Sequence, residues 1–178
     1  MTNDEQLSIA LRPWTNEDLP LLQRMMRDPE MTAHLGGPVP QDSILERHER
    51  YCQRMSESGR VMFVIAVLPE RVAAGAVGYW EREWRGEKVW ETGWMVLPDF
   101  QGRGAATQAT AEVLKRARAE NMHRFVHAFP DVDNVASNAI CRKLGFTNLG
   151  EVEFENVLHG TTMRSNDWRL DLFADGER

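Results

Sequence analysis

The 178 residues carry 21 Lys and Arg against 27 Asp and Glu, a net charge of −6, with 42% hydrophobic and 27% charged residues. That balance predicts one soluble globular domain over 1–178 with a sizeable core. It argues against nucleic acid as the main partner, because backbone binding needs a basic surface. Two distant cysteines (Cys52, Cys141), no basic-then-apolar leader and no run approaching about 18 apolar residues predict a reducing cytoplasm, no disulfide framework and no membrane span.

Residues 7–12 alternate apolar and polar and predict a first strand. Thr15 or Asn16 caps a helix with Glu17 and Asp18 in its first turn, an apolar face from Leu19 to Met26, and a stop at Asp28-Pro29. Residues 28–40 hold two glycines and three prolines and read as a loop with at most one helical turn, at 31–35. Asp42 or Ser43 caps a second helix through about Ser56, which Gly59 stops. Residues 61–68 are almost unbroken apolar, as in a strand buried on both faces. A second strand, 73–80, is followed by a polar hairpin loop over 81–87 and then the strand 88–97. A helix over 104–120 has small apolar residues at helical spacing and Lys115, Arg116 and Arg118 toward its C-terminal end. Then come a strand at 124–129, a short helix at 135–143 capped by Asn134 and closed by Gly145, and two strands at 147–154 and 162–172. The order predicts an α/β (α+β) fold: a mixed, mainly antiparallel sheet of about seven strands flanked by about four helices.

One stretch organises the rest: Glu91 to Ala106, ETGWMVLPDFQGRGAA. A strand runs through a loop holding Gly102 and Gly104 straight into a helix. The first turn of a helix offers unpaired N–H groups and the positive end of a dipole, so this junction reads either as an anion site or as a plain glycine connection. The Gly-Lys-Ser/Thr of a P-loop is absent, and so is the third glycine of a dinucleotide fingerprint.

The segment Gln101-Gly102-Arg103-Gly104-Ala105-Ala106 resembles the Gln/Arg-x-x-Gly-x-Gly/Ala pyrophosphate loop of the GNAT (Gcn5-related N-acetyltransferase) family. Asn134-Val135-Ala136-Ser137, followed by Arg142-Lys143-Leu144-Gly145-Phe146, resembles the Asn-x-x-Ser … Lys-Leu-Gly-Phe block of its RimJ/RimL-like ribosomal-protein branch. The likeness is strong over about 75–172. It implies the GNAT fold and an acetyl-CoA-dependent transfer of an acetyl group to a primary amine, either a protein N-terminus or a small molecule. It implies pyrophosphate on 101–106, the pantetheine arm along Met95 and Val96, and further coenzyme contacts at Asn134, Ser137 and Arg142. Asn134 can equally be a plain helix cap.

Gly93 has two readings: a close backbone approach at the arm, or relief of crowding beside Trp80 or Trp94. A lysine-like amine must lose a proton at a cost of roughly 4–5 kcal/mol at neutral pH, an α-amine only about 1. A general base is therefore useful. Glu91, two residues before Gly93 and on the same strand face, is the candidate, with Glu83, Glu151 and Glu153 behind it. Many family members place an acidic tyrosine four residues before the final Gly-Phe, where this chain has Cys141. Ser137 is the implied alternative donor to the leaving thiolate, and Cys141 reads as a buried thiol or as a substitute acid. Trp84 or Trp90 is a candidate wall of the acceptor pocket. The five histidines show no ligand spacing, so no metal is expected. A non-catalytic acyl-CoA-binding module is the rival reading, and a homodimer is left open.

Overall fold

The computed structural model describes residues 6–53 and 59–174. Seven strands form one sheet: β1 (Ile9–Pro13), β2 (Arg60–Val67), β3 (Val72–Trp84), β4 (Glu87–Val96), β5 (Phe125–Ala128), β6 (Thr147–Asn156) and β7 (Thr161–Asp171). The spatial order is β1-β2-β3-β4-β5-β7-β6, and every neighbouring pair is antiparallel except β4–β5. Five α-helices lie among the described residues: α1 (Leu19–Arg27), α2 (Pro29–Thr32), α3 (Gln41–Cys52), α4 (Ala105–Glu120) and α5 (Val135–Lys143). None is long and apolar enough to cross a membrane.

The apolar run of β2 is divided between two cores. Phe63, Ile65 and Val67 point to the side covered by α4, and Met62 and Val64 to the side covered by α1 and α3. This is the two-faced burial that a continuous hydrophobic strand predicts. On the α4 side Ala105, Ala109, Val113 and Ala117 lie against the sheet. Small side chains there let the helix sit close to it.

Three elements differ from the sequence reading. The hairpin loop predicted over 81–87 is shorter than expected: β3 runs to Trp84, and only Arg85 (φ 51°) and Gly86 (φ 81°) turn. Two consecutive positive φ values fit a two-residue hairpin, whose twist matches the strands. The loop at 28–40 contains α2, because the Asp28 side chain accepts from the N–H groups of Glu30 and Met31 and caps it. The helix predicted from Asp42 or Ser43 starts at Gln41 without a side-chain cap, and its predicted end at Ser56 lies outside the described residues.

Candidate active site

After β4 the chain makes a 3₁₀ turn at Pro98–Phe100 and enters α4 through two left-handed glycines, Gly102 (φ 72°) and Gly104 (φ 80°). Gly104 is the N-cap of α4, and no side chain caps that end. No acid stands in the first turn. At α5, by contrast, the Asn134 side chain accepts from the Ser137 N–H at 3.0 Å. The amides of Ala105, Ala106 and Thr107 thus form an open turn at the positive end of a 16-residue helix. The loop is held from outside: Arg103 O accepts from Leu7 N–H at 3.1 Å, and Gln108 Nε2 donates to Leu7 O at 2.8 Å. Gln101 braces it, with its N–H on Pro98 O (3.2 Å) and its side-chain amide on Val96 O (2.8 Å). Gln101 therefore shapes the cradle, and the amides of Ala105, Ala106 and Thr107 remain to face an anion.

Beside this turn the sheet opens. β4 and the parallel β5 pair only at Trp90↔Val126 and Glu91↔His127. Beyond that rung they diverge, and a cleft of about 500 Å³ lies between β4, α4 and α5. Its wall holds Trp94, Met95 and Val96 from β4, Gln101, Gly102 and Gly104 from the loop, Ala105 and Ala106 from α4, and Asn134 and Ser137 from the start of α5. The Ser137 hydroxyl makes no hydrogen bond among the described residues. An unpaired strand edge, an uncapped helix end and the cleft beside them fit a diphosphate joined to an amide-rich arm.

Arg142 is not brought to this wall: it is exposed, its guanidinium 5.9 Å from the Trp168 ring, and Lys143 faces the cleft instead. Helical geometry explains the exchange, since neighbouring residues point about 100° apart. Arg103 also lies off the wall. Thr107, Phe100 and Ile140 line it without having been singled out, and Met31 and His34 from the α2 region line it too. Cys141 is fully buried, and burial pushes its thiol up to about 12. That suits core packing and not proton donation. Gly93 sits opposite Gly78 in unbroken register, and an added Cβ would come within 2.9 Å of the Trp80 ring, so crowding by Trp80 accounts for it.

Glu91, Arg82 and His127 occupy the sheet face opposite α4. The Glu91 carboxylate accepts from Arg82 at 2.6 Å, with side chains 16% and 28% exposed. The Arg82 guanidinium lies 4.7–5.1 Å from the rings of Trp84, Phe129 and Phe154. His127 Nδ1 meets Asp167 Oδ1 at 2.6 Å, and Asp167 Oδ2 accepts from Trp84 Nε1 at 3.0 Å. Desolvation pushes the His127 imidazole below its ordinary pKa, against the opposing pull of Asp167. Sequence alone does not bring this pair together, because its members lie 40 residues apart. Trp90, a candidate pocket wall, is instead core, packed edge-on to Tyr79 and His123. Among the described residues no cluster suits a metal ion.

The family model of the acetyltransferase (GNAT) domain matches residues 8–147. No protein of curated function matches in sequence. Among solved structures, spermidine N-acetyltransferase from Vibrio cholerae, in complex with CoA and spermine, superposes with a TM-score of 0.75 at 17% identity, covering 92% of this chain and 95% of its own. The Salmonella typhimurium acetyl transferase that modifies the N-terminal serine of 50S ribosomal subunit protein L7/L12 gives 0.71 at 19%, covering 92% and 95%. Salmonella typhimurium yncA, solved with its cofactor acetyl-CoA, gives 0.69 at 20%, covering 93% and 94%. At these identities the likeness is one of fold.

Proposed function

Because this chain belongs to the GNAT acetyltransferase family, we propose that it moves the acetyl group of acetyl-CoA to a primary amine, by direct attack with both substrates bound, as one domain over 1–178. The observation that carries the reading is the uncapped, acid-free start of α4 beside the open edge of β4. The N–H groups from Gly102 to Thr107 hold the diphosphate, and the backbone of Met95 and Val96 pairs with the arm. Acetyl-CoA supplies the thioester. Asn134 both caps α5 and borders the arm, and the Ser137 hydroxyl is the donor to the departing sulfur. Glu91, ion-paired to Arg82, presents a carboxylate on the acceptor face that attracts an ammonium group. Proteins of this fold act on such unlike acceptors as spermidine and a ribosomal-protein N-terminus, and the acceptor here is a primary amine of either kind. Two free cysteines support a reducing, cytoplasmic setting.

The test is release of free CoA thiol in the presence of an amine panel: polyamines, aminoglycosides, amino acids and peptides with free N-termini. Amine-dependent release, with one acetyl group added to the amine by mass, supports the reading. A folded protein that binds acetyl-CoA and acetylates nothing in the panel would count against it.

A further inference from the structure

On the acetyltransferase reading above, we propose that His127, oriented by Asp167, takes the proton from the acceptor amine, while Glu91 holds the incoming cation.

The placement follows from the opening in the sheet. His127 is the register partner of Glu91 at the last rung before β4 and β5 part. An arm of about 15 Å running back along β4 from Leu97, just past the strand's end, spans four to five residues at about 3.3 Å each. Its thioester end then falls at Thr92–Gly93, next to that rung. Trp90 and Val126, one residue earlier on each strand, point into the core under α4. Glu91 and His127 therefore point to the opposite face; neither lines the cleft beside α4, and on this proposal the acceptor approaches the thioester from their side.

Of the two groups, His127 is set up to receive a proton. Asp167 is fully buried, with one oxygen on His127 Nδ1 and the other on Trp84 Nε1, and Arg85 lies 3.5 Å away. A fixed carboxylate on Nδ1 selects the tautomer with its hydrogen there and leaves the Nε2 lone pair to accept. Nε2 has no hydrogen-bond partner among the described residues. The ring stacks on Phe129 at 5.7 Å and 17°, which fixes its plane. Glu91 is committed elsewhere: protonating it would strand the Arg82 guanidinium inside its ring of aromatics. The charged groups around His127 are Asp167 and Arg169 on β7, Arg85 in the hairpin turn, and Glu91 and Arg82 across β4 and β3. Burial, with Arg169 and Arg85, outweighs Asp167 and keeps the imidazole neutral near pH 7.

The protons balance. The acceptor nitrogen arrives as an ammonium, loses one proton to free the lone pair that bonds to the acetyl carbon, and loses a second as the carbon–sulfur bond breaks. His127 Nε2 takes the first and passes it to solvent. The second passes to the Ser137 oxygen as that hydroxyl gives its own hydrogen to the departing sulfur, so Ser137 ends as it began.

The experiment compares wild type with His127→Gln and Asp167→Asn, using whichever panel amine the wild type acetylates best. We expect His127→Gln to lower kcat by about 100-fold or more, with acetyl-CoA affinity by calorimetry within about 2-fold. Its rate should climb with pH in proportion to hydroxide where the wild type is level. Asp167→Asn should lose less and shift the pH profile. In ¹⁵N NMR of the wild type, Nε2 should carry the unprotonated-nitrogen signal at pH 7. If His127→Gln keeps its rate within about 3-fold and its pH profile is unchanged, or if Nε2 bears the hydrogen, the proposal is overturned. Should His127→Gln fail to fold, Asp167→Asn and the wild-type NMR signal decide alone. If the wild type acetylates no amine, it is the functional reading that fails, and the NMR result still judges the tautomer.

Discussion

Replacing Gly104 with glutamate separates backbone strain from charge at the proposed diphosphate cradle. Gly104 is the N-cap of α4 at φ 80°, and an added Cβ would lie 3.4 Å from Gln6 Cγ and 3.6 Å from Gln108 Nε2, which is contact without a clash. Any side chain there costs about 1–2 kcal/mol for the left-handed backbone, so Gly104→Ala is the matched control. The carboxylate of Gly104→Glu adds a negative charge where a diphosphate is to sit. At about 5 Å and an effective dielectric near 20 each like-charge pair costs about 3 kcal/mol, so affinity for acetyl-CoA should fall by roughly 100-fold or more relative to Gly104→Ala. Without ligand the order should reverse: an acid at a helix N-terminus is favourable by about 0.3–1 kcal/mol, so Gly104→Glu should melt no lower than Gly104→Ala. Calorimetric titration of both variants, repeated at high salt to screen the charge, reads the difference. Equal affinity in the two variants would refute the placement of the diphosphate.

The Asn138 amide makes four hydrogen bonds, with Asn166 and Trp168 donating to its oxygen and its nitrogen donating to the carbonyls of Asp131 and Asn134. Asn138→Ala leaves those partners bare and should cost about 3 kcal/mol, lowering Tm by roughly 6–12 °C; a fall under about 2 °C would show that the network carries no stability. Gly78→Ala drives a Cβ to 2.4 Å from the Val61 carbonyl oxygen, whereas at Gly93→Ala the close neighbour is the edge of the Trp80 ring. Backbone yields less than a side chain, so urea unfolding should rank Gly78→Ala as the more destabilised by about 1–2 kcal/mol, and the reverse order would contradict the packing. Burial pushes Asp18 upward, yet hydrogen bonds from Arg12 and Thr15 outweigh it and hold its pKa below 3.8. A lowered folded-state pKa gives stability that is present above 3.8 and lost as pH falls through the folded value. Denaturant midpoints should therefore drop less steeply on acidification in Asp18→Asn than in wild type, and parallel curves would remove Asp18 from the account.

What the sequence made legible is what local physics decides. The apolar run of β2, the small-residue face of α4, the Asn134 cap and the closing Gly145 (φ 80°) all stand where periodicity and capping chemistry place them. The loop of the β3–β4 hairpin was read too long because Trp80, Arg82 and Trp84 keep the period of a strand while the intervening glutamates look like loop. Side-chain direction at a helix end decided Lys143 over Arg142 for the cleft, and a dense positive run conceals that choice. Glu91 was visible as a strand carboxylate, but its Arg82 partner depends on hairpin register. His127 and Asp167 meet because β7 inserts between β5 and β6, an order that no local pattern announces.

The most direct test is a crystal structure of the protein with CoA. The account predicts diphosphate oxygens within hydrogen-bond distance of the N–H groups between Gly102 and Thr107, with the arm lying along Met95 and Val96 toward the Glu91–His127 rung. Density that puts the diphosphate away from the start of α4 would contradict it.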